Sequence, residues 1–269
     1  MPECRGGRTY GAGAREVSVE RIRANREFMK SVFGALAGGT SDQSKGLPQP
    51  PLEPPYPPES ELIPLPKPDK SLVSKNDLYD CIASRESRRH LSKEPLSLHD
   101  LSFLLWATQG VKEVLGDGHA TLRTVPSGGA RHAFETYIVA QRVEGILPGV
   151  YRYLPLSHRL VFLFAPPDLR GRLLEATFGQ RFVADAPAVF FWSCIPYRGE
   201  WRYAIAAHKV MLLDAGHVCQ NLYLACESIG AGTCAIGAYD QGATDAFLRL
   251  DGQDEFIVYL APVGKIPRS

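Results

Sequence analysis

The sequence of 269 residues predicts an α+β fold. Three observations carry this expectation. Segments with apolar residues every three or four positions alternate irregularly with short apolar runs. Those runs come partly in hairpin-like pairs joined by turn residues. One long helical segment in the C-terminal third is apolar around most of its circumference, which marks a central helix. A doubly wound sheet would require a regular strand and helix alternation instead.

In chain order, residues 16–37 carry an apolar stripe of Val19, Ile22, Phe28, Met29, Val32, Phe33 and Leu36, which predicts an amphipathic helix. Residues 46–70 hold ten of the 21 prolines. Such a run favours extended polyproline II and cannot form a central strand. It reads either as a flexible linker or, because of Leu52, Tyr56, Leu62, Ile63 and Leu65, as an arm docked on a folded surface. Residues 1–70 are therefore set apart as helix and arm, and residues 71–269 as the main domain. Within it, Ser74 to Asp77 resembles a capping box before Leu78, Cys81 and Ile82. A second capping pair, Ser97 and Asp100, opens a helix that Gly110 stops. Strands are expected at Phe134–Val139, Gly149–Tyr153, Leu160–Phe164 and Ala188–Cys194, with a helix at Leu169–Phe178. The long helix spans roughly Tyr203–Ile229, ended by Gly230 and Gly232. A strand Thr233–Ile236, a short helix Thr244–Arg249 and a closing strand Phe256–Val263 complete the chain.

Composition narrows the function classes. Hydrophobic residues at 45% and charged residues at 22% are ordinary for a globular protein, and the length permits a sizeable core. With 30 basic and 29 acidic residues, nothing attracts the chain to nucleic acid or to a membrane surface. No apolar run reaches about 18 residues and the N-terminus lacks a secretory core, so a cytoplasmic protein without a membrane span is expected. The cysteines at 4, 81, 194, 219, 226 and 234 contain no C-x-x-C pair and read as small buried hydrophobes. The histidines show no metal spacing, and His208 and His217, nine residues apart, point to opposite sides of one helix. No protein-ligated metal is expected.

Four elements could carry chemistry. Ser84-Arg-Glu-Ser-Arg-Arg-His90 places three arginines around Ser87, a donor set suited to a phosphate dianion. Taken alone, the segment reads more readily as a cationic helix end favoured by the helix dipole. Val125-Pro-Ser-Gly-Gly-Ala-Arg131 either lets backbone N–H groups approach a planar ligand or is a turn into the next strand. Gly230-Ala-Gly-Thr-Cys-Ala-Ile-Gly237 follows a helix and precedes a strand, the reverse of a Rossmann loop, so a dinucleotide reading is rejected. What remains there is a helix cap and a strand end at Ile236-Gly237 that can face a ligand. Lys265, after the last strand, is a second possible phosphate cation.

The order of these elements resembles the nitroreductase superfamily, closest to its SagB-type dehydrogenase branch, over roughly seven-tenths of the chain. The matching stretches are Arg85-Glu-Ser87-Arg-Arg89 followed by Pro95-Leu-Ser97, Arg123-Thr-Val-Pro-Ser127-Gly-Gly129, Glu135, and Val143-Glu-Gly-Ile-Leu-Pro-Gly-Val-Tyr151. Ala215-Gly-His217-Val-Cys-Gln220-Asn221-Leu222, the Gly230 to Gly237 segment and Pro262-Val-Gly-Lys265 complete the pattern. The resemblance implies a central mixed or antiparallel sheet flanked by helices, and a homodimer with FMN between its subunits. It implies that Arg85, Ser87, Arg89 and Lys265 hold the FMN phosphate. Ser127, Gly128 and Gly129 would line the ribityl chain and the pyrimidine edge, and backbone N–H groups near Ile236 and Gly237 would face the ring.

Two departures bear on the reaction. Ala130 and Arg131 stand where many simple nitroreductases carry asparagine, which leans toward the SagB-type branch. Members of that branch that oxidise azolines carry a Lys-Tyr pair where this chain has Arg202-Tyr203. Tyr203 can exchange a proton, but an arginine is effectively always protonated, so Arg202 is restricted to electrostatic work. The resemblance therefore implies NAD(P)H-linked reduction of a small nitroaromatic or quinone-type acceptor. The alternatives are FMN-dependent oxidation of a peptide-derived substrate, and flavin binding without turnover.

Overall fold

The computed structural model describes residues 18–36 and 41–267. The expected N-terminal helix is shorter than its stripe: α1 covers Val19–Asn25, and 3-10 turns at Glu27–Met29 and Phe33–Leu36 follow. Val19, Ile22, Phe28 and Met29 are all exposed, so the stripe lacks the packing surface that would sustain a longer helix. The ends of the predicted span, 16–17 and 37, lie outside the described residues.

The proline-rich stretch is docked. Leu62–Pro64 forms β1, paired antiparallel with a later strand. Carbonyls along the arm accept hydrogen bonds from the domain: Leu47 from Trp201 Nε1 at 2.9 Å, Pro51 from Arg198 Nε at 3.1 Å and Pro54 from Arg152 at 3.0 Å. A polyproline backbone leaves its carbonyls unpaired, which makes it a ready acceptor strip for arginine.

Helix α2, Leu78–Ser84, is capped three residues later than the Ser74 reading: Asp77 accepts from the Tyr79 and Asp80 N–H groups. Ser74 instead donates backbone and hydroxyl hydrogen bonds to the Ser228 carbonyl. Helix α3, Leu98–Gln109, has the predicted reciprocal cap between Ser97 and Asp100 and stops at Gly110. A hairpin not expected from the sequence follows, β2 Val111–Leu115 and β3 Ala120–Arg123, turned by Gly116-Asp117-Gly118.

Then come β4 Phe134–Ala140, β5 Gly149–Leu154, β6 Arg159–Phe164, α4 Leu169–Ala176, α5 Arg181–Ala184 and β7 Ala188–Cys194, close to the predicted bounds where these were given. Helix α6, Tyr197–Tyr203, precedes α7, Ala207–Ser228. The long helix thus starts four residues later than expected, because the apolar pattern runs on through a break at Ala204, whose φ is +42°. Strand β8 is Ala231–Thr233, earlier than predicted, because Gly230 in the left-handed region turns the chain directly onto the sheet edge. Ile236 keeps a single bridge to Leu260. Helix α8, Gln241–Leu248, and β9, Phe256–Lys265, finish the fold.

The seven-stranded sheet runs β1-β6-β5-β4-β7-β9-β8, and every neighbouring pair is antiparallel. The α+β expectation holds, with the sheet antiparallel rather than mixed. One face, with Ile138, Tyr151, Phe190 and Trp192, packs under α3 and α7. The other, with Tyr137, Val139, Val189 and Phe191, packs under α4, α5 and α8. The five described cysteines are free and buried, as expected, and Cys4 lies outside the described residues. Among the described residues no helix is long and apolar enough to cross a membrane.

Candidate active site

After α2 the chain runs along the end of the sheet. Arg88 N–H donates to Thr233 at 2.9 Å and Ser92 N–H to Lys265 at 2.8 Å. This pairing sorts the arginines. Arg88 grips the buried Glu227 carboxylate at 2.9 and 3.1 Å, and its stem covers Gly232, where a Cβ would sit 2.7 Å from Arg88 Cδ. Arg85 and Arg89 make no ion pair with any described residue. The Arg85 guanidinium lies 5.3 Å over the Tyr223 ring. The Tyr223 hydroxyl bonds Ser87 Oγ at 2.9 Å and accepts from Ala235 N–H at 2.8 Å. One tyrosine of α7 therefore ties the arginine segment to the glycine-rich strand end.

Arg89 diverges from Arg85. Its guanidinium lies 6.0 Å over Phe182 and borders a cavity of about 630 Å³ with His90, Lys93, Arg142 and Asp185. Lys265 is paired with Asp100 at 2.9 Å, so its charge is already met. At the strand end, the expected pair of ring-facing N–H groups reduces to one. Ile236 N–H donates to Leu260 at 2.8 Å, whereas Gly237 is exposed and its N–H makes no hydrogen bond with any described residue. Space beside Gly237 is open, with nothing within 4 Å of an added Cβ.

The second group of predicted residues meets at the start of α7. Gly128 N–H donates to the Asp214 carboxylate at 3.1 and 3.3 Å, and Ser127 Oγ accepts from His132 N–H at 2.9 Å. Gly129 has φ +59°, and a Cβ there would lie 2.8 Å from Arg202 Nε and collide with the Tyr203 hydroxyl. A Cβ on Gly128 would collide with Val210. The glycines are thus required for the ends of α6 and α7 to close on the loop. The Arg202 guanidinium lies 5.5 Å over the Tyr203 ring. Burial pushes the Asp214 carboxyl up, against the hydrogen bonds from Ser127 and Gly128 that pull it down.

Arg131 and the Glu135–Arg198 pair hold this corner in place. Arg131 bonds the carbonyls of Gly129 at 3.1 Å and His119 at 3.0 Å, and Gln49 of the arm at 3.1 Å. Glu135 on β4 pairs with Arg198 on α6 at 2.7 Å, both almost fully buried. Asp214, Arg198 and Tyr223 were not singled out from the sequence. Their only signal was a polar group inside an otherwise apolar helical pattern, which needs a partner when buried.

The two groups attach to α7 on different sides. Asp214 and Tyr223 are nine residues apart, which at about 100° per residue is half a turn out of phase. A stripe of α7, with Leu212, Leu213, Gly216, His217 and Gln220, is exposed on the side that Tyr223 shares further along the helix. The helix is apolar around most of its circumference, as expected, but part of that apolar surface, at Leu212 and Leu213, is exposed.

An antiparallel sheet between helical layers, with an arginine segment and a glycine loop hung on one central helix, defines an oxidoreductase fold of the nitroreductase type. The chain belongs to the nitroreductase family, whose model matches residues 82–265. It is 32% identical over 188 residues to the nitroreductase-like protein MJ1384 of Methanocaldococcus jannaschii, covering 70% of this chain and 90% of that one. It is 30% identical over 138 residues to the trifolitoxin-processing protein TfxB of Rhizobium leguminosarum bv. trifolii, 50% of this chain and 37% of that protein. Among solved structures, a nitroreductase-like protein of Ralstonia eutropha JMP134 superposes with a TM-score of 0.64 at 28% identity, covering 83% of this chain and 100% of that chain. The E. coli microcin synthetase McbBCD complex shares the fold, with a TM-score of 0.57 at 18% identity over 80% of this chain and 79% of that chain.

Proposed function

We propose that this chain is a cytoplasmic, FMN-dependent oxidoreductase that works as a homodimer and couples NAD(P)H to the two-electron reduction of a small nitroaromatic or quinone-type acceptor. The observation that carries the reading is Arg85, left without an ion pair beside Ser87 and over the tyrosine that holds it, while Arg88 is consumed by Glu227. Arg89, also without an ion pair, lies over Phe182 and would have to turn back to join them. Ion-pair-free arginines beside a hydroxyl fit a phosphate dianion. The open Gly237 N–H fits the edge of a planar ring. Lys265, whose charge is met by Asp100, would reach a phosphate only by exchanging that partner.

Because the Ser127-Gly128-Gly129 loop and the Arg85 segment sit on opposite sides of α7, one chain presents two half-sites. A second copy, packed on the exposed α7 stripe, supplies the complementary half to each. Bound FMN supplies the hydride-accepting and hydride-donating chemistry. Tyr203, held against Gly129, is placed to donate or accept a proton at the substrate. Arg202, fixed in its charged form, stabilises negative charge there.

The test is the absorption spectrum of the purified protein after incubation with FMN. A flavin spectrum that survives gel filtration is expected, and a colourless protein sinks the proposal. Arg85→Ala with Arg89→Ala should weaken FMN binding at least tenfold by flavin fluorescence quenching. The likeness to TfxB favours a second reading, oxidation of a peptide-derived substrate. It predicts no acceptor-dependent consumption of NADH or NADPH, and that assay separates the two. A scaffold that binds flavin without turnover gives the same null in that assay and is distinguished by failing to oxidise any substrate.

A further inference from the structure

Residues 27–36 lie outside the stretch matched by the family model, yet they stand against the part of the site that carries Tyr203. Phe33 meets the Tyr203 ring edge-on at 5.7 Å. Between this segment and the start of α7 lies a cavity of about 400 Å³, walled by Phe28, Val32, Phe33, Ile205, Val210 and Leu213. Val210 also touches the space beside Gly128, so the cavity and the glycine loop share one side chain.

The charges around the cavity are mostly cancelled. Glu27 pairs with Lys30 at 2.6 Å, and Glu200 holds His208 at 2.7 Å. Lys209, also on the cavity wall, makes no ion pair with any described residue. Lys209 is thus the lysine on the described wall of this largely apolar slot that has no ion pair. We propose that this cavity is a substrate subsite that selects small aromatic carboxylates. The ring would lie between the phenylalanines and the aliphatic wall, and the carboxylate would meet the Lys209 ammonium. The volume is within the range of small-molecule sites, which run from roughly 300 to 1,000 Å³. Aromatic walls favour flat rings edge-on or offset, and an ammonium–carboxylate contact is a charge-assisted hydrogen bond.

This subsite deepens the proposed function, since it rests on flavin lying beside Ser127 to Gly129. Its test is independent of turnover. Binding of 4-nitrobenzoate and of nitrobenzene to the full chain, after incubation with FMN, is measured by titration calorimetry without reductant, and flavin content by absorbance. The wild-type protein is expected to bind 4-nitrobenzoate about tenfold more tightly than nitrobenzene. Lys209→Glu should erase that preference and leave nitrobenzene binding and flavin content unchanged. Val32→Trp, which fills the cavity, should weaken both ligands about tenfold. Flavin-bound protein that does not bind 4-nitrobenzoate, or binds both probes alike, overturns the subsite. So does a Lys209→Glu variant that keeps the preference. Protein without flavin that still binds 4-nitrobenzoate through Lys209 removes the flavin reading and leaves the subsite standing.

Discussion

Arg88 stands between Arg85 and Arg89, and residue type alone cannot separate the three. The structure does so by register: pairing of the segment with β8 turns Arg88 inward onto Glu227, whose side chain is only 4% exposed. Arg88→Ala leaves that carboxylate buried with only Lys75, at 3.5 Å, as counter-charge, and should cost roughly 2–4 kcal/mol in urea unfolding. Arg85→Ala should leave stability within about 0.5 kcal/mol while weakening FMN binding. Equal stability losses in the two variants would remove the distinction. His132 offers a second test. Burial, aided by the neighbouring Arg123, holds its imidazole down at about 3, against an ordinary 6.5. The folded chain therefore keeps it neutral, while the unfolded chain takes up a proton below about pH 6.5. This contribution to stability is complete above that pH and declines toward pH 3, reaching a loss of about 2 kcal/mol at pH 5. His132→Asn, which tolerates the residue's positive φ, should show a pH 7 to pH 5 stability difference smaller by that amount. An unchanged difference would refute it.

At the scale of elements, strands and caps were legible and junctions were not. Alternation and turn residues located β4 to β7 closely, and the Ser97–Asp100 cap was read correctly. The α6–α7 break was invisible because Ala204 looks like an ordinary helix residue, and only its φ of +42° reveals the turn. The arm was ambiguous because proline-rich sequence specifies an extended shape but not what it touches. Its carbonyls meet Trp201, Arg198 and Arg152, so the element that presents Tyr203 is held from outside the family core. Truncation should therefore act in two stages. A chain lacking residues 1–37 loses, of the described residues, α1 and the two 3-10 turns, whose large apolar side chains are mostly exposed, and should unfold within about 2 °C of the full chain. A chain lacking residues 1–66 leaves three buried donors without acceptors and should unfold at least 5 °C lower in a thermal scan. Similar melting points for the two truncations would mean that the arm contributes no stability.

For the whole molecule, the long helix was recognised as central from its breadth of apolar surface, but the sequence did not show that part of this surface faces outward. Leu212 is 47% and Leu213 55% exposed, on a stripe that Gly216 leaves flat. If the proposed homodimer packs on this stripe, Leu212→Glu with Gly216→Arg should give a monomer in sedimentation velocity and weaken FMN binding at least tenfold, because each proposed half-site loses its complement. A monomeric variant with unaltered flavin affinity would show that one chain suffices. The sheet itself has a further property. Its two rims are the three-residue strands β1 and β8; β1 ends in Pro64, and β8 is flanked by the segment that carries Arg88. Open strand edges are templates for aggregation, and short, proline-ended or covered edges block that route. The arm therefore also acts as a guard for β6. Without it, Leu160, Val161 and Phe162 would form an apolar rim with free backbone donors, open to pairing with another chain as the protein is synthesised.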